Sequence, residues 1–387
     1  MEDPATLSQL APVEGSENEA SVPAIVICDE ETAGLRVAAV SILDRLIVAA
    51  HRAGAAPIRI VSSKPPPSLP RAVALGISFE VVARVPTTER PTLVLSTGLL
   101  VQSADLRALV QNRGRLVGRD GGPLPAGVIT GPLEGQLEEQ LSRLPKVVAQ
   151  GVAVAITDAS SLRAASRALW ASLASPLDGA VDRYFNRPVG RILSKQLVHT
   201  AVTPNQVSVV SVLLGLFSAW LFARGAYATT VLGAIVLQVS AIFDTVDGDV
   251  ARVMFKESTL GKWLDIIGDQ VVHIAVFAAI GFGLFRAGSA APVFALAASA
   301  VIGVLISFVV VVRGLKQLEH RSNPRLQKLI ESTANRDFSV LLLVLALVDK
   351  LDLFLWAAAI GVHIFWIAAL FVQKTRSAGG NRTQCAP

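Results

Sequence analysis

Asp244–Asp269 reads DTVDGDVARVMFKESTLGKWLDIIGD. It carries the carboxylates Asp244, Asp247, Asp265 and Asp269 between two apolar runs, Val231–Phe243 and Val271–Phe285. A charge at bilayer depth costs several kcal/mol unless it is paired or metal-bound, so these acids need a partner. If the upstream helix continues through the stretch, Asp244, Asp247 and Ala251 share one face. On the downstream helix Gly261, Asp265 and Asp269 follow one another at four-residue steps and share another. Bringing the two faces together sets the acids around one small volume. Hard oxygen donors suit Mg²⁺, Mn²⁺ or Ca²⁺, and such a cluster could hold two ions. Gly261, one turn before Asp265, lets a ligand approach the helix backbone. Arg252 adds a guanidinium to the same rim, suited to a phosphate-bearing substrate.

The pattern D-x2-D-G-x2-A-R-x8-G-x3-D-x3-D is complete here. It resembles the defining motif of the CDP-alcohol phosphotransferases, integral membrane enzymes that make phospholipids and related phosphodiesters. The resemblance implies two Mg²⁺ or Mn²⁺ ions held by Asp244, Asp247, Asp265 and Asp269, with Asp269 also the base that activates an acceptor hydroxyl. It implies a CDP-linked donor bound by Asp244, Gly248, Ala251, Arg252 and Gly261, an alcohol acceptor, and CMP as leaving group. Homodimers are usual in that family. A phosphorylated acceptor needs further cations, for which Lys256, Arg313 and Arg336 are the candidates; each reads equally well as a residue that sets membrane orientation. His273, one turn past Asp269, either lines the pocket or packs beside it.

The chain has 387 residues, 52% of them hydrophobic, and a formal net charge of +5, enough for two domains. The apolar runs are unevenly placed, nearly all of the long ones falling in the second half. The opening MEDPATLSQLAPVEGSENEA is polar and acidic, with no positive n-region or apolar h-region, so 1–21 is expected to be a disordered tail. Cys28 and Cys385 match no metal or redox spacing and predict no disulfide. No nucleic-acid partner is expected.

Residues 22–160 read as an α/β domain. Short apolar strands at 24–28, 58–61, 79–83, 92–96 and 152–157 alternate with helices over 41–53 and 104–111. That alternation predicts a Rossmann-like, mostly parallel sheet. The stretch SILDRLIVAAHRAGAAPIRIV is similar to the early part of sugar-nucleotide-type nucleotidyltransferases, a domain that some CDP-alcohol phosphotransferases carry. The chemistry departs from that resemblance. CDEETAGLR has one glycine and three acids where a Gly-rich basic phosphate loop belongs, and LSTGLL stands where a metal-binding Asp is placed. The domain is therefore expected to be inactive as a nucleotidyltransferase. His51 reads as an ordinary surface or core residue.

Residues 161–203 form a basic, amphipathic connector, in which Arg183, Arg187, Arg191 and Lys195 recur at four-residue spacing. Such a helix lies in the membrane interface with its basic side toward headgroups. Thr203-Pro204 supplies an N-cap and a first helical position. Six apolar segments follow within 204–374, at about 206–223, 229–246, 263–285, 292–312, 338–348 and 353–372. The fifth is short and draws on Thr333–Asp337 to complete a span; five spans plus a re-entrant segment is the alternative. Lys and Arg concentrate in the connector, 252–262, 313–336 and the 375–387 tail, which puts both termini and the acidic cluster on the cytoplasmic side.

The expected fold is an α/β domain followed by a six-helix transmembrane domain in contact with membrane lipids. The expected function is transfer of a substituted phosphate from a CDP-linked donor, such as CDP-diacylglycerol, to an acceptor hydroxyl. A bifunctional cytidylyltransferase and inositol phosphate-type phosphodiester synthase is the alternative. A divalent-cation transporter, from another class, would need its acids near mid-membrane and no Arg252 beside them.

Overall fold

The computed structural model describes residues 21–86, 89–132, 137–174, 179–320 and 338–374. The chain divides into two compact units, Met1–Leu169 and Trp170–Pro387.

In the first unit a seven-stranded sheet has the spatial order 146–148, 115–117, 123–129, 92–96, 22–27, 55–61, 79–82. Val22–Ile27 pairs in parallel with both Ala55–Val61 and Thr92–Ser96, and Ala55–Val61 with Phe79–Val82. Pro123–Ile129 runs against both of its neighbours. The first, second, third and fourth of these parallel strands thus take the order 3-2-1-4, which creates a switch point between the carboxyl ends of 22–27 and 92–96. Central-strand side chains such as Val26, Ile60 and Leu95 are fully buried. The helix Ile42–Arg52 packs its apolar side inward, and Ser41 Oγ caps it by accepting from Asp44 N.

Four strands lie where alternation placed them. The segment 152–157 differs: only Ala153–Ala155 is extended, and it pairs antiparallel with Leu99–Val101 in a small separate sheet. The strands 115–117, 123–129 and 146–148 were not legible. Two of them have three residues each, and the third opens on Pro123 and contains Gly127, a composition that argues against a strand.

Two buried carboxylates close loops in this unit. Asp44 accepts from the backbone N–H of Arg71 and of Ala72, each at 2.8 Å. Asp105 accepts from Gln150 N at 2.7 Å and Gly151 N at 3.1 Å.

The second unit is helical. A π-helical turn, Asp182–Asn186, runs into α1 (Arg187–Leu197). Then come α2 (Pro204–Phe222), α3 (Tyr227–Val253), α4 (Thr259–Arg286), α5 (Val293–His320), α6 (Phe338–Leu347) and α7 (Leu351–Lys374). Among the described residues five helices are long and apolar enough to cross a membrane: α2, α3, α4, α5 over Val293–Gly314, and α7 over Leu351–Gln373. The fifth expected segment is the ten-residue α6, too short to span by itself, so among the described residues there are five spans and a short apolar helix where six spans were expected. Its lead-in, Thr333–Asp337, lies outside the described residues, as do the 375–387 tail and most of 1–21.

Thr203 caps α2 as expected. Its hydroxyl accepts from Gln206 N while Gln206 Oε1 accepts from Thr203 N, a reciprocal capping box. Phe222, Leu237, Val276, Ile280, Leu342 and Leu355 form part of one buried core. Phe217, Trp220, Ile364 and Phe371 face outward, as side chains solvated by lipid do.

Small residues set the helix spacing. A Cβ on Gly215 would come within 2.6 Å of Val272, and one on Gly268 within 2.6 Å of Val212. α2 and α4 therefore each receive a valine of the other into a glycine notch.

Candidate active site

α3 does not stop at the end of its apolar run but continues through the acidic stretch to Val253. The chain then turns over Met254–Ser258, with Phe255 in the left-handed region at φ 52° and Lys256 N donating to Ala251 O at 2.8 Å. α4 begins at Thr259, capped by Ser258, whose hydroxyl accepts from Gly261 N at 3.0 Å. The two acidic faces are thus carried by consecutive helices joined by one tight turn.

The carboxylates of Asp244, Asp247 and Asp265 offer oxygen atoms that all lie within 4.8 Å of one another. Asp247 is buried, Asp244 half-buried and Asp265 exposed, so the group grades from the helix interface outward. Ionised together without a cation, each pair would repel by on the order of 3 kcal/mol at an effective dielectric of about 20. Three hard donors converging from two helices fit a divalent ion. Asp269, one turn beyond Asp265, is not one of this group. It lines a narrow cleft with His273, Phe338 and Ser339. The His273 ring also lies 5.1 Å from Phe338 and 6.3 Å from Phe277, so it both lines the cleft and packs.

Gly248 and Ala251 lie on α3 beside the trio. A Cβ on Gly248 would stand 3.2 Å from Arg252 Nη1, so this glycine gives the guanidinium its seat. A Cβ on Gly261 would stand 2.9 Å from Asn205 Oδ1, which brings the start of α2 to the start of α4. Lys256 is half-buried in the turn, and Arg313 is exposed toward the end of α5. Arg336 lies outside the described residues.

Several contributors were not singled out from the sequence. Ser208 of α2 donates its buried hydroxyl to Asp247 Oδ2. Asp249, only 1% exposed, accepts from Arg252 Nη2 at 2.8 Å and Arg187 Nη1 at 3.2 Å. Arg187 is thereby turned inward, at 13% exposure, rather than aligned with the basic face expected of the connector. Arg183 and Lys195 of the expected stripe are exposed, and so are the apolar side chains Tyr184 and Ile192, at 77% and 65%. One signal was present. A fifth aspartate in a membrane helix, three residues before an arginine, is an ion pair in waiting.

In the α/β unit the turn after Val22–Ile27 becomes a short helix, Glu30–Ala33, bearing acids. Asp29 N donates to Thr97 Oγ1 at 2.8 Å, and Lys64 pairs with Glu30 at 2.6 Å. Thr97, in the LSTGLL segment, thus knits the turn to the neighbouring strand. The Cys28 thiol, half-buried and free, is pushed up in pKa mainly by burial, against a hydrogen bond with Ser62 that pulls it down; Asp29 and Glu30 push it further up.

The family model for CDP-alcohol phosphatidyltransferase matches residues 201–373. That stretch, which holds α2 to α7 and the whole acidic motif, is a domain of the CDP-alcohol phosphatidyltransferase family. With its five apolar spans, it makes the chain an integral membrane protein. Among curated relatives, a "Bifunctional IPC transferase and DIPP synthase" of Aquifex aeolicus is 39% identical over 107 residues, 28% of this chain and 24% of that protein. An "Archaetidylinositol phosphate synthase" of Pyrococcus horikoshii is 31% identical over 97 residues, 25% of this chain and 50% of that protein. The match thus spans about a quarter of the first relative and half of the second. Among solved structures, the Mycobacterium tuberculosis phosphatidylinositol phosphate synthase with CDP-DAG bound superposes with a TM-score of 0.36 at 18% identity, covering 48% of this chain and 93% of that one.

Proposed function

We propose that the protein transfers the substituted phosphate of a CDP-linked lipid donor, of the CDP-diacylglycerol kind, to an acceptor hydroxyl and releases CMP. The reading is carried by one observation. Three carboxylates from consecutive helices converge within 4.8 Å of one another, inside a domain matched to a family of CDP-alcohol phosphatidyltransferases. Asp244, Asp247 and Asp265 would hold a divalent ion, with Asp269 at hand for a second. Bound there, Mg²⁺ or Mn²⁺ supplies Lewis-acid charge against the donor's pyrophosphate. Gly248, Ala251 and Gly261 keep the helix backbones open to the cytidine, and Arg252 meets the phosphates. Asp269 takes the proton of the acceptor hydroxyl. The freed oxygen attacks the phosphorus that bears the donor alcohol, the bond to CMP breaks, and CMP leaves with the electron pair.

The names of the relatives support an acceptor of the inositol phosphate kind, for which Lys256, Arg313 and Arg336 are the candidate cations. The distribution of Lys and Arg supports an active site and termini on the cytoplasmic side, and the family resemblance supports a homodimer. Residues 22–160 are read as an inactive nucleotidyltransferase-like domain, because acids occupy the turn where a triphosphate would bind. The bifunctional reading draws on the resemblance of SILDRLIVAAHRAGAAPIRIV to nucleotidyltransferases and on the names of the relatives. It would gain ground if the full chain released pyrophosphate from CTP and a phosphorylated alcohol.

The test is CMP release from CDP-diacylglycerol by the purified full chain with Mn²⁺, over a panel of alcohols and inositol phosphates. Asp269→Asn is expected to lower turnover by about a thousand-fold while donor binding changes little. Equal loss of both would remove Asp269 from the role of base.

A further inference from the structure

Asp249 lies inside the catalytic stretch at one of its unspecified positions, between Gly248 and Arg252, and nothing in the motif gives it a role. It is 1% exposed, yet its Oδ1 takes a guanidinium from each side: Arg252 Nη2 at 2.8 Å from its own helix and Arg187 Nη1 at 3.2 Å from α1. Arg252 keeps 44% of its side chain exposed, while Arg187 keeps 13%. The glycine one helical turn before Arg252 gives the guanidinium its seat, since a Cβ on Gly248 would stand 3.2 Å from Nη1. α1 is brought close by a second glycine, for a Cβ on Gly190 would stand 2.6 Å from Thr245 Oγ1 of α3.

Resting on the proposed function, we infer that Asp249 is a positioning residue that aims Arg252 at the pyrophosphate of the donor, with Arg187 as the buried counter-charge. Two physical requirements lead there. An arginine at a solvent-facing rim has many rotamers, and a buried carboxylate bound to one Nη fixes its plane before the substrate arrives. A carboxylate paired with one guanidinium would also cancel the charge it positions. The second guanidinium, held inside, restores a net positive charge to the triad and leaves the outward one free to meet an anion. Helix α1 therefore contributes to donor affinity without touching the donor.

The experiment is a double-mutant cycle on the full chain, measuring CMP release against donor concentration, with unfolding in detergent followed in parallel. Asp249→Asn is expected to raise KM for the CDP-linked donor about ten-fold with kcat within about three-fold, and Arg252→Lys to do likewise. The double variant is expected to be no more than about two-fold worse than either single, because one substitution already removes what the other relies on. Arg187→Gln is expected to raise KM about three-fold at an unchanged unfolding midpoint, and Arg187→Lys to recover most of that loss. Additive losses in the cycle, or a fall in kcat at constant KM, overturn the inference. If Asp249→Asn does not fold, the Arg187 pair decides: equal KM for Gln and Lys overturns it. A wild-type chain that releases no CMP from any CDP-linked donor fails the functional reading itself and takes the inference with it. Turnover with an additive cycle fails the inference alone.

Discussion

The two units use the same side chain in opposite ways. In the α/β unit Asp44 and Asp105 are buried, and each collects two backbone N–H donors, so that each carboxylate is satisfied by the loop it closes. In the membrane unit Asp244, Asp247 and Asp265 are turned toward one another, with oxygens no more than 4.8 Å apart. A carboxylate ringed by amides needs nothing further and serves stability. Carboxylates crowded on carboxylates concentrate negative charge where a cation can settle, and they serve function.

Substitutions can break this contrast. The largest effect is expected at Asp247, where Asp247→Ala should lower turnover by about a thousand-fold and move the Mn²⁺ dependence to higher concentration. An unchanged Mn²⁺ curve would remove Asp247 from the ligand set. Next comes Asp44→Ala, which leaves the amides of Arg71 and Ala72 without their acceptor. It should cost the α/β unit about 2–3 kcal/mol, read as a lower unfolding midpoint, with CMP release per folded molecule unchanged. Loss of activity in the folded protein would show that this unit takes part in the chemistry. The mildest effect is expected at Ser208. Ser208→Ala removes a hydroxyl from Asp247 without touching the charge, and should raise the Mn²⁺ concentration for half-maximal rate about ten-fold with the maximal rate nearly restored at saturation. A change in maximal rate alone would place Ser208 outside the metal shell.

The sequence made the acidic motif legible because spacing in a helix is geometry. Once α3 continues through it, Asp244 and Asp247 must share a face, and Asp265 must lie on the matching face of α4. The cap at Thr203 was legible for a similar reason, since capping is a local arrangement of four residues. What stayed hidden depends on contacts between distant segments. Ser208 meets Asp247 across 39 positions, and Arg187 meets Asp249 across 62. The inward turn of Arg187 departs from its place in a periodic basic stripe, because Asp249, buried on a neighbouring helix, would be a costly uncompensated charge without cations beside it. The strands at 115–117, 123–129 and 146–148 were concealed by shortness and by proline and glycine, whose pairing is decided by the sheet edge they join. The fifth apolar segment reads from the sequence as a span completed by Thr333–Asp337, yet the ten apolar residues of α6 look alike in a core and in a membrane.

The reciprocal notches between α2 and α4 bear on how firmly the acidic site is framed. Gly215 admits Val272 and Gly268 admits Val212, so the two helices are keyed at two points and cannot slip past each other by a turn. Asp265 rides on one of these helices, and Ser208, which steadies Asp247, rides on the other. Keyed in this way, Asp265 and Ser208 keep a fixed separation, and two missing methyl groups in the helix seam set the frame on which the acids converge.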